Sequence, residues 1–187
     1  MNKSFRRNTV LDPEEMDAYK KQKIKTELNN RRLLEEILQI PFARRTADDQ
    51  SALIEILLTF PCFQMVAEDD YANFVELTKT LQMQKFGLDQ YVFKQGDEPD
   101  NAYVIVFGSC QVKVSFTFFK LGSVRQKTKT MCKLETKSLF GELSMLFKGK
   151  RTASVITSEF CSMLVIPNSA FRKYMKTLLL RKLSVTI

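Results

Sequence analysis

Apolar positions along this chain change their period once, near Met83. Before that point they recur every three or four residues, the spacing of one helix face. Asp12-Pro13-Glu14-Glu15 has the form of a helix start: an acidic cap, proline at the first helical position and acids in the first turn. The stretch that follows, to Gln39, is highly charged. Its apolar residues are sparse at first (Met16, Tyr19, Ile24, Leu28) and denser near the end (Leu33, Leu34, Ile37, Leu38), so the pattern predicts a helix that leans on something only through its last turns. Ile40-Pro41 ends it. Thr46-Ala47-Asp48-Asp49 opens a second helix with Leu53, Ile54, Leu57 and Leu58 on one face. A break is expected at Phe60–Phe63, then a third helix from Glu68 to Leu81 with Tyr71, Phe74, Val75 and Leu77 inward.

From Met83 the apolar residues alternate. Strands are predicted at Met83–Leu88, Tyr91–Lys94, Ala102–Phe107, Cys110–Phe119, Lys129–Leu134, Ser154–Thr157 and Cys161–Pro167, with turns at Gly87, Gly96-Asp97, Gly108-Ser109 and Leu121-Gly122. The segment from Phe116 to Thr130 forms a long hairpin lined by Arg125, Lys127 and Lys129, a solvated tip or a contact surface. A final helix spans Asn168 to Leu183, and the residues up to Ile187 leave room only for a stub beyond it. Many short strands between helical ends predict an α+β chain, mainly β: a small antiparallel jelly-roll barrel flanked by N- and C-terminal helices.

Composition narrows the chemistry. The net charge is +8, but Arg6-Arg7, Lys20-Lys21, Arg31-Arg32, Arg44-Arg45 and Lys148–Arg151 are dispersed among acids, which describes a basic surface better than a nucleic-acid stripe. No helix-turn-helix follows the strands, so no nucleic-acid partner is expected. No apolar run approaches the roughly 20 residues of a membrane span. Leu11-Asp12-Pro13-Glu14-Glu15 stands where a leader would need an apolar core. The expectation is a cytoplasmic chain with no membrane insertion. Cys62, Cys110, Cys132 and Cys161 lack metal-ligand spacing and the chain has no histidine, so neither a zinc site, a disulfide framework nor His-based catalysis is expected. No base–nucleophile constellation appears, and the chain is read as a non-enzyme without metal or cofactor.

The richest stretch runs from Phe140 to Val155. Gly141 lets backbone approach a ligand closely. A short helix after it would present unpaired amides to an anion. Arg151 offers a planar fork of donors that matches phosphate oxygens, and Glu142 can accept from a sugar hydroxyl. On chemistry alone, Glu142 and Arg151 fit equally well a plain surface ion pair.

Phe140-Gly141-Glu142-Leu143-Ser144, followed in register by Arg151-Thr152-Ala153-Ser154-Val155, resembles the phosphate-binding cassette of cyclic nucleotide-binding domains. These occur in kinase regulatory subunits, cyclic-nucleotide-gated channels and bacterial catabolite activators. Val92–Glu98, Tyr103–Val106, Gly108 and Val112 resemble the strand–turn–strand that precedes it. The resemblance divides the chain into a basic tail and charged helix (1–45) and a cyclic nucleotide-binding domain (46–187). It implies that a 3′,5′-cyclic nucleotide, cAMP or cGMP, meets Gly141, Arg151 and the amides of Leu143, Ser144 and Ala153. Glu142 would hold the ribose 2′-hydroxyl. Val112, Val114, Met131, Cys132 and Phe140 would wall sugar and base. Thr152 stands where many cAMP-selective members have alanine, and it permits a contact to guanine or serves as a β-branched residue entering a strand. Lys137 stands where the family has a glycine in a tight turn, so either the turn differs or the cassette entry is distorted.

The implied function is a cyclic nucleotide sensor that signals to a protein partner through the helix at 13–39 or the C-terminal helix. The rival is a degenerate member that binds no ligand and serves as a scaffold. Arg6-Arg7-Asn8-Thr9-Val10 also resembles a cyclic-nucleotide-dependent kinase site, with Thr9 as the phosphate acceptor.

Overall fold

The structure is a computed structural model and describes residues 13–120 and 123–185. Thr9 therefore lies outside the described residues. Helix α1 (Pro13–Gln39) ends before Ile40-Pro41, and a 3-10 turn at Phe42–Arg44, α2 (Ala47–Leu57), α3 (Pro61–Asp69) and α4 (Tyr71–Thr78) follow. Thr46 opens α2 by a reciprocal cap. The Asp49 amide donates to Thr46 Oγ1 at 3.1 Å and the Thr46 amide donates to Asp49 Oδ2 at 2.8 Å.

The third predicted helix is corrected. The expected break is present but falls at 58–60, where α2 and α3 meet at 110°, and Pro61 already occupies the first turn of α3, where a missing N–H costs nothing. A second interruption falls at Asp70, which is extended and caps α4 by accepting from the Asn73 amide at 3.0 Å. No helix among the described residues is by itself long and apolar enough to cross a membrane.

The strands are β1 (Gln82–Phe86), β2 (Tyr91–Phe93), β3 (Asn101–Phe107), β4 (Cys110–Lys120), β5 (Ser123–Leu134) and β6 (Leu139–Phe140). After α5 (Glu142–Leu146) come β7 (Ser154–Thr157) and β8 (Cys161–Pro167). They form two antiparallel four-stranded sheets, ordered β1-β8-β3-β6 and β2-β7-β4-β5, the interleaving of a jelly roll.

The first sheet is covered on both faces, which explains the unbroken apolar runs of β3 and β8. Ala102, Val104 and Val106 with Leu164 and Ile166 join Leu53, Phe63, Phe74 and Leu77 under the helices. Tyr103 and Ile105 with Cys161, Met163 and Val165 turn to the other side and meet Cys110, Phe140 and Val155 between the sheets. Leu34 and Ile37 of α1 are buried in the helical core, whereas Tyr19, Ile24 and Leu28 are exposed.

The closing helix is also corrected. It breaks at Met175 into α6 (Asn168–Tyr174) and α7 (Lys176–Val185). Leu178 is buried in the helical core, and Arg181 Nη2 contacts both Asp69 carboxylate oxygens at 3.0 and 3.2 Å. The last helix thus docks against α3. The long hairpin is longer than the alternation predicted: β5 begins at Ser123 instead of Lys129 and stays paired with β4 to its far end.

Candidate functional site: the Phe140–Val155 cassette

Leu139 and Phe140 pair with Val104 and Tyr103, which pins the entrance of the segment to β3. Gly141 then turns with φ +81°. A Cβ there would lie 3.0 Å from Arg151 Nη1 and 3.2 Å from Phe93 Cε1, so the position needs glycine for conformation and for space. Helix α5 follows directly, and ten residues later the chain brings Arg151 back beneath Gly141.

Arg151 is 2% exposed. Its Nη1 donates to the Gly141 carbonyl at 2.5 Å and to Ser144 Oγ at 3.2 Å. Its Nη2 donates to the Asn101 carbonyl at 2.6 Å and to Asp100 Oδ1 at 3.2 Å. The guanidinium carbon sits 4.1 Å from the Phe93 ring centroid. Nε is buried and has no hydrogen-bond partner. The backbone is equally tied: the Arg151 amide donates to the Asp97 carbonyl at 2.9 Å, the Gly96 amide to the Arg151 carbonyl at 2.8 Å, and the Gln95 amide to Ser154 Oγ at 2.9 Å. The two motifs legible in sequence, 92–98 and 140–155, are therefore hydrogen-bonded to each other.

The surface ion pair between Glu142 and Arg151 does not form. The acid paired with Arg151 is Asp100. Burial pushes the Glu142 carboxyl above the ordinary carboxylate range, with its own backbone N–H and the nearby Arg151 charge opposing that rise. Ser144 is buried, Ala153 half-buried, and Leu143 and Thr152 exposed.

On the neighbouring ribbon, Val112 and Val114 are half-buried, and Cys132 is exposed opposite Val112. Met131, also exposed, is the extra residue of a bulge where the register shifts. Phe140 lies deeper than these four, in the core cluster against which Val112 also packs. It is 5% exposed and stacks on Tyr103 at a centroid distance of 5.4 Å, so it supports the cassette from the core between the sheets.

The Lys137 turn keeps its shape despite the missing glycine. Lys137 takes φ +73°, and the Ser138 amide closes the turn on the Glu135 carbonyl at 3.0 Å. Asp100 and Asn101 are the residues that sequence reasoning missed, and Phe93, though inside the 92–98 motif, was given no part in the site. Asp100 and Asn101 lie about fifty residues before Arg151, and the only signal for them was an acid in the turn Gly96-Asp97-Glu98-Pro99-Asp100 just ahead of β3.

The model of the cyclic nucleotide-binding domain family matches residues 83–178, more than half of the chain and the whole of this site. The chain belongs to that family. The domain is 33% identical over 110 residues to potassium/sodium hyperpolarization-activated cyclic nucleotide-gated channel 1 of Homo sapiens and of Oryctolagus cuniculus. That match covers 58% of this chain and 12% of each channel, so the chain spans about an eighth of the length of these relatives. Among solved structures, the domain resembles the regulatory domain of Toxoplasma gondii PKA with cAMP, at a TM-score of 0.58 and 20% identity over 75% of this chain and 56% of that one. It resembles equally, at 0.58 and 18% identity over 70% and 43%, the regulatory subunit of a cAMP-independent protein kinase A from Trypanosoma cruzi bound to guanosine. These likenesses establish the fold; their different ligands leave the choice of ligand to this chain's own site.

Proposed function

We propose that this domain binds a 3′,5′-cyclic nucleotide and passes the binding event to a protein partner. The observation that carries the proposal is Arg151: a buried guanidinium, held in place by four acceptors, whose Nε–H has no partner. A buried donor without an acceptor is costly, and a phosphate oxygen would satisfy it. Gly141 and the amides of Leu143, Ser144 and Ala153 would complete the anion site. Glu142 would accept from the ribose 2′-hydroxyl. Val112, Val114, Met131 and Cys132 would line the sugar and base, with Phe140 bracing the cassette behind them. No cofactor and no catalytic step are part of the proposal, and the domain acts in the cytoplasm.

Binding would act by population shift. The turn at 135–138 leads into the cassette and also faces α1 across a groove of about 960 Å³, which Thr136 and Lys137 line together with Tyr19, Ile24 and Leu28. This neighbourhood supports α1 as the output element, with α6 and α7 as the other route. A second reading has its own observation. Arg151 already satisfies four acceptors, so it serves as a structural staple even in a scaffold that binds nothing.

A thermal-shift titration with cAMP, cGMP and a non-cyclic nucleotide separates the two readings. Binding stabilises the fold by about 2.7 kcal/mol at a hundredfold excess over Kd. No shift with either cyclic nucleotide at millimolar concentration would leave the scaffold. If Thr152 contacts guanine, Thr152→Ala weakens cGMP binding by about 0.5–1.5 kcal/mol and cAMP binding much less.

A further inference from the structure

Beyond Lys113, which is the last β4 residue paired with β7, the sheet narrows to a two-stranded ribbon. Gln95 clamps Ser115 from the side, its Oε1 accepting from the Ser115 amide at 2.8 Å and its Nε2 donating to the Ser115 carbonyl at 3.2 Å. Further out, β4 and β5 pair only with each other. The register places Phe119 opposite Val124, Phe118 opposite Arg125, Phe116 opposite Lys127 and Val114 opposite Lys129.

Phe119 is 82% exposed and Val124 63% exposed, and they occupy one face of the ribbon end. Phe118 and Phe116 are exposed on the other face. Neither strand contains an acidic residue. Arg125, Lys127 and Lys129 are exposed and have no acidic partner among the described residues.

We propose that this hairpin is a docking element for an anionic lipid surface, with Phe119 and Val124 seated in the headgroup layer and the basic residues beside Phe118 and Phe116 among the lipid phosphates. Two features favour a bilayer over a protein. A protein surface covers one face of a ribbon, whereas the bare aromatics here lie on both faces, as suits end-on entry into a fluid medium. Aromatic and basic groups also share one ribbon face, Phe118 opposite Arg125 and Phe116 opposite Lys127, the mixture of apolar and cationic groups that a headgroup layer accepts. At about 3.4 Å per residue, Arg125, Lys127 and Lys129 follow the Phe119/Val124 pair by about 3, 10 and 17 Å. Interfacial elements bury their apolar part about 5–10 Å deep, which puts these charges in and just above the headgroups. This is peripheral attachment by a β-ribbon, and it does not depend on whether the cassette is occupied.

The chain has no tryptophan, so Phe119→Trp gives a single reporter at the ribbon end, and Tyr71→Trp on α4 gives a control. With vesicles of phosphatidylcholine containing phosphatidylserine, Phe119→Trp fluorescence should shift to the blue and be quenched by brominated acyl chains. Tyr71→Trp should remain unquenched. Pure phosphatidylcholine and high salt should abolish the effect. Arg125→Gln/Lys127→Gln/Lys129→Gln should weaken partition about a hundredfold, at roughly one surface charge step per residue, with circular dichroism and melting unchanged. In the unsubstituted chain, vesicle co-sedimentation should follow phosphatidylserine content, a measurement that requires no variant to fold. Absence of sedimentation, equal quenching of both reporters, or binding to an acidic peptide or an oligonucleotide without binding to vesicles would overturn the proposal.

Discussion

The sheet β2-β7-β4-β5 has two ends that differ in kind. Where β7 leaves the cassette, polar groups are matched closely: Arg151 is enclosed by Gly141, Ser144, Asp100 and Asn101, and its backbone is bonded to the turn at 96–97. At the other end, the β4–β5 ribbon leaves cations and aromatic rings in solvent. The first end is organised around an internal requirement, to hold one buried charge with one donor kept open. The second meets no internal requirement, so its pattern has to be explained by something outside the chain.

The difference predicts opposite responses to charge removal. Arg151→Ala leaves the Gly141 and Asn101 carbonyls without their donor in a buried site, and should lower stability by about 2–4 kcal/mol as well as abolish ligand binding. Lys127→Gln should stay within about 0.5 kcal/mol of the native chain. Urea unfolding midpoints measure both. An unchanged midpoint for Arg151→Ala would erase the contrast. This departs from the sequence reading, in which Arg151 is a phosphate contact or one half of a surface ion pair.

A smaller effect sharpens the picture of the cassette's entrance. Lys137 holds a left-handed turn that glycine would hold without strain. Lys137→Gly should raise stability by about 0.5 kcal/mol, because relief of strain exceeds both the extra backbone entropy of glycine and the loss of the Lys137 ammonium over the Phe60 ring at 5.7 Å. A lower melting temperature would mean that the turn is not strained.

Smallest is a pH effect at Glu142. Its carboxyl is raised in the folded state by burial, so the folded chain holds that proton to higher pH than the unfolded chain does. The stability it contributes is complete below the ordinary carboxylate range and is lost as pH rises through the raised value. Glu142→Gln removes that loss. The variant should melt slightly higher than the native chain near neutral pH, lose that advantage in acid, and bind cyclic nucleotide more weakly. A native chain that gains stability over the variant as pH rises would contradict the assignment.

How much of this was legible in the sequence depends on the range of the contact. The jelly-roll strands and the register of Gly141, Glu142 and Arg151 follow from local alternation and from a contiguous motif. Pro61 misled because proline marks a break and a helix start equally well. Met175 gave no warning of the break between α6 and α7, since Leu178 and Leu179 continue a helical apolar pattern across it. Asp100 and Asn101 escaped notice because what makes them matter is a neighbour about fifty residues away, and Phe93 was quoted in a motif without the contact that gives it a role. Phe140 looked like a ligand wall because it opens the motif, yet the alternation of β6 turns it toward Tyr103 in the core.

The open donor of Arg151 can be observed directly. In nitrogen–proton spectra tuned to arginine side chains, the Arg151 Nε–H signal is assigned by its disappearance in Arg151→Lys. On saturation with cAMP or cGMP, that signal should move downfield by far more than those of Arg172 and Arg181, as a free N–H becomes a charge-assisted bond to phosphate. A signal that stays in place while the nucleotide saturates the domain, or a domain that never saturates, would contradict the account.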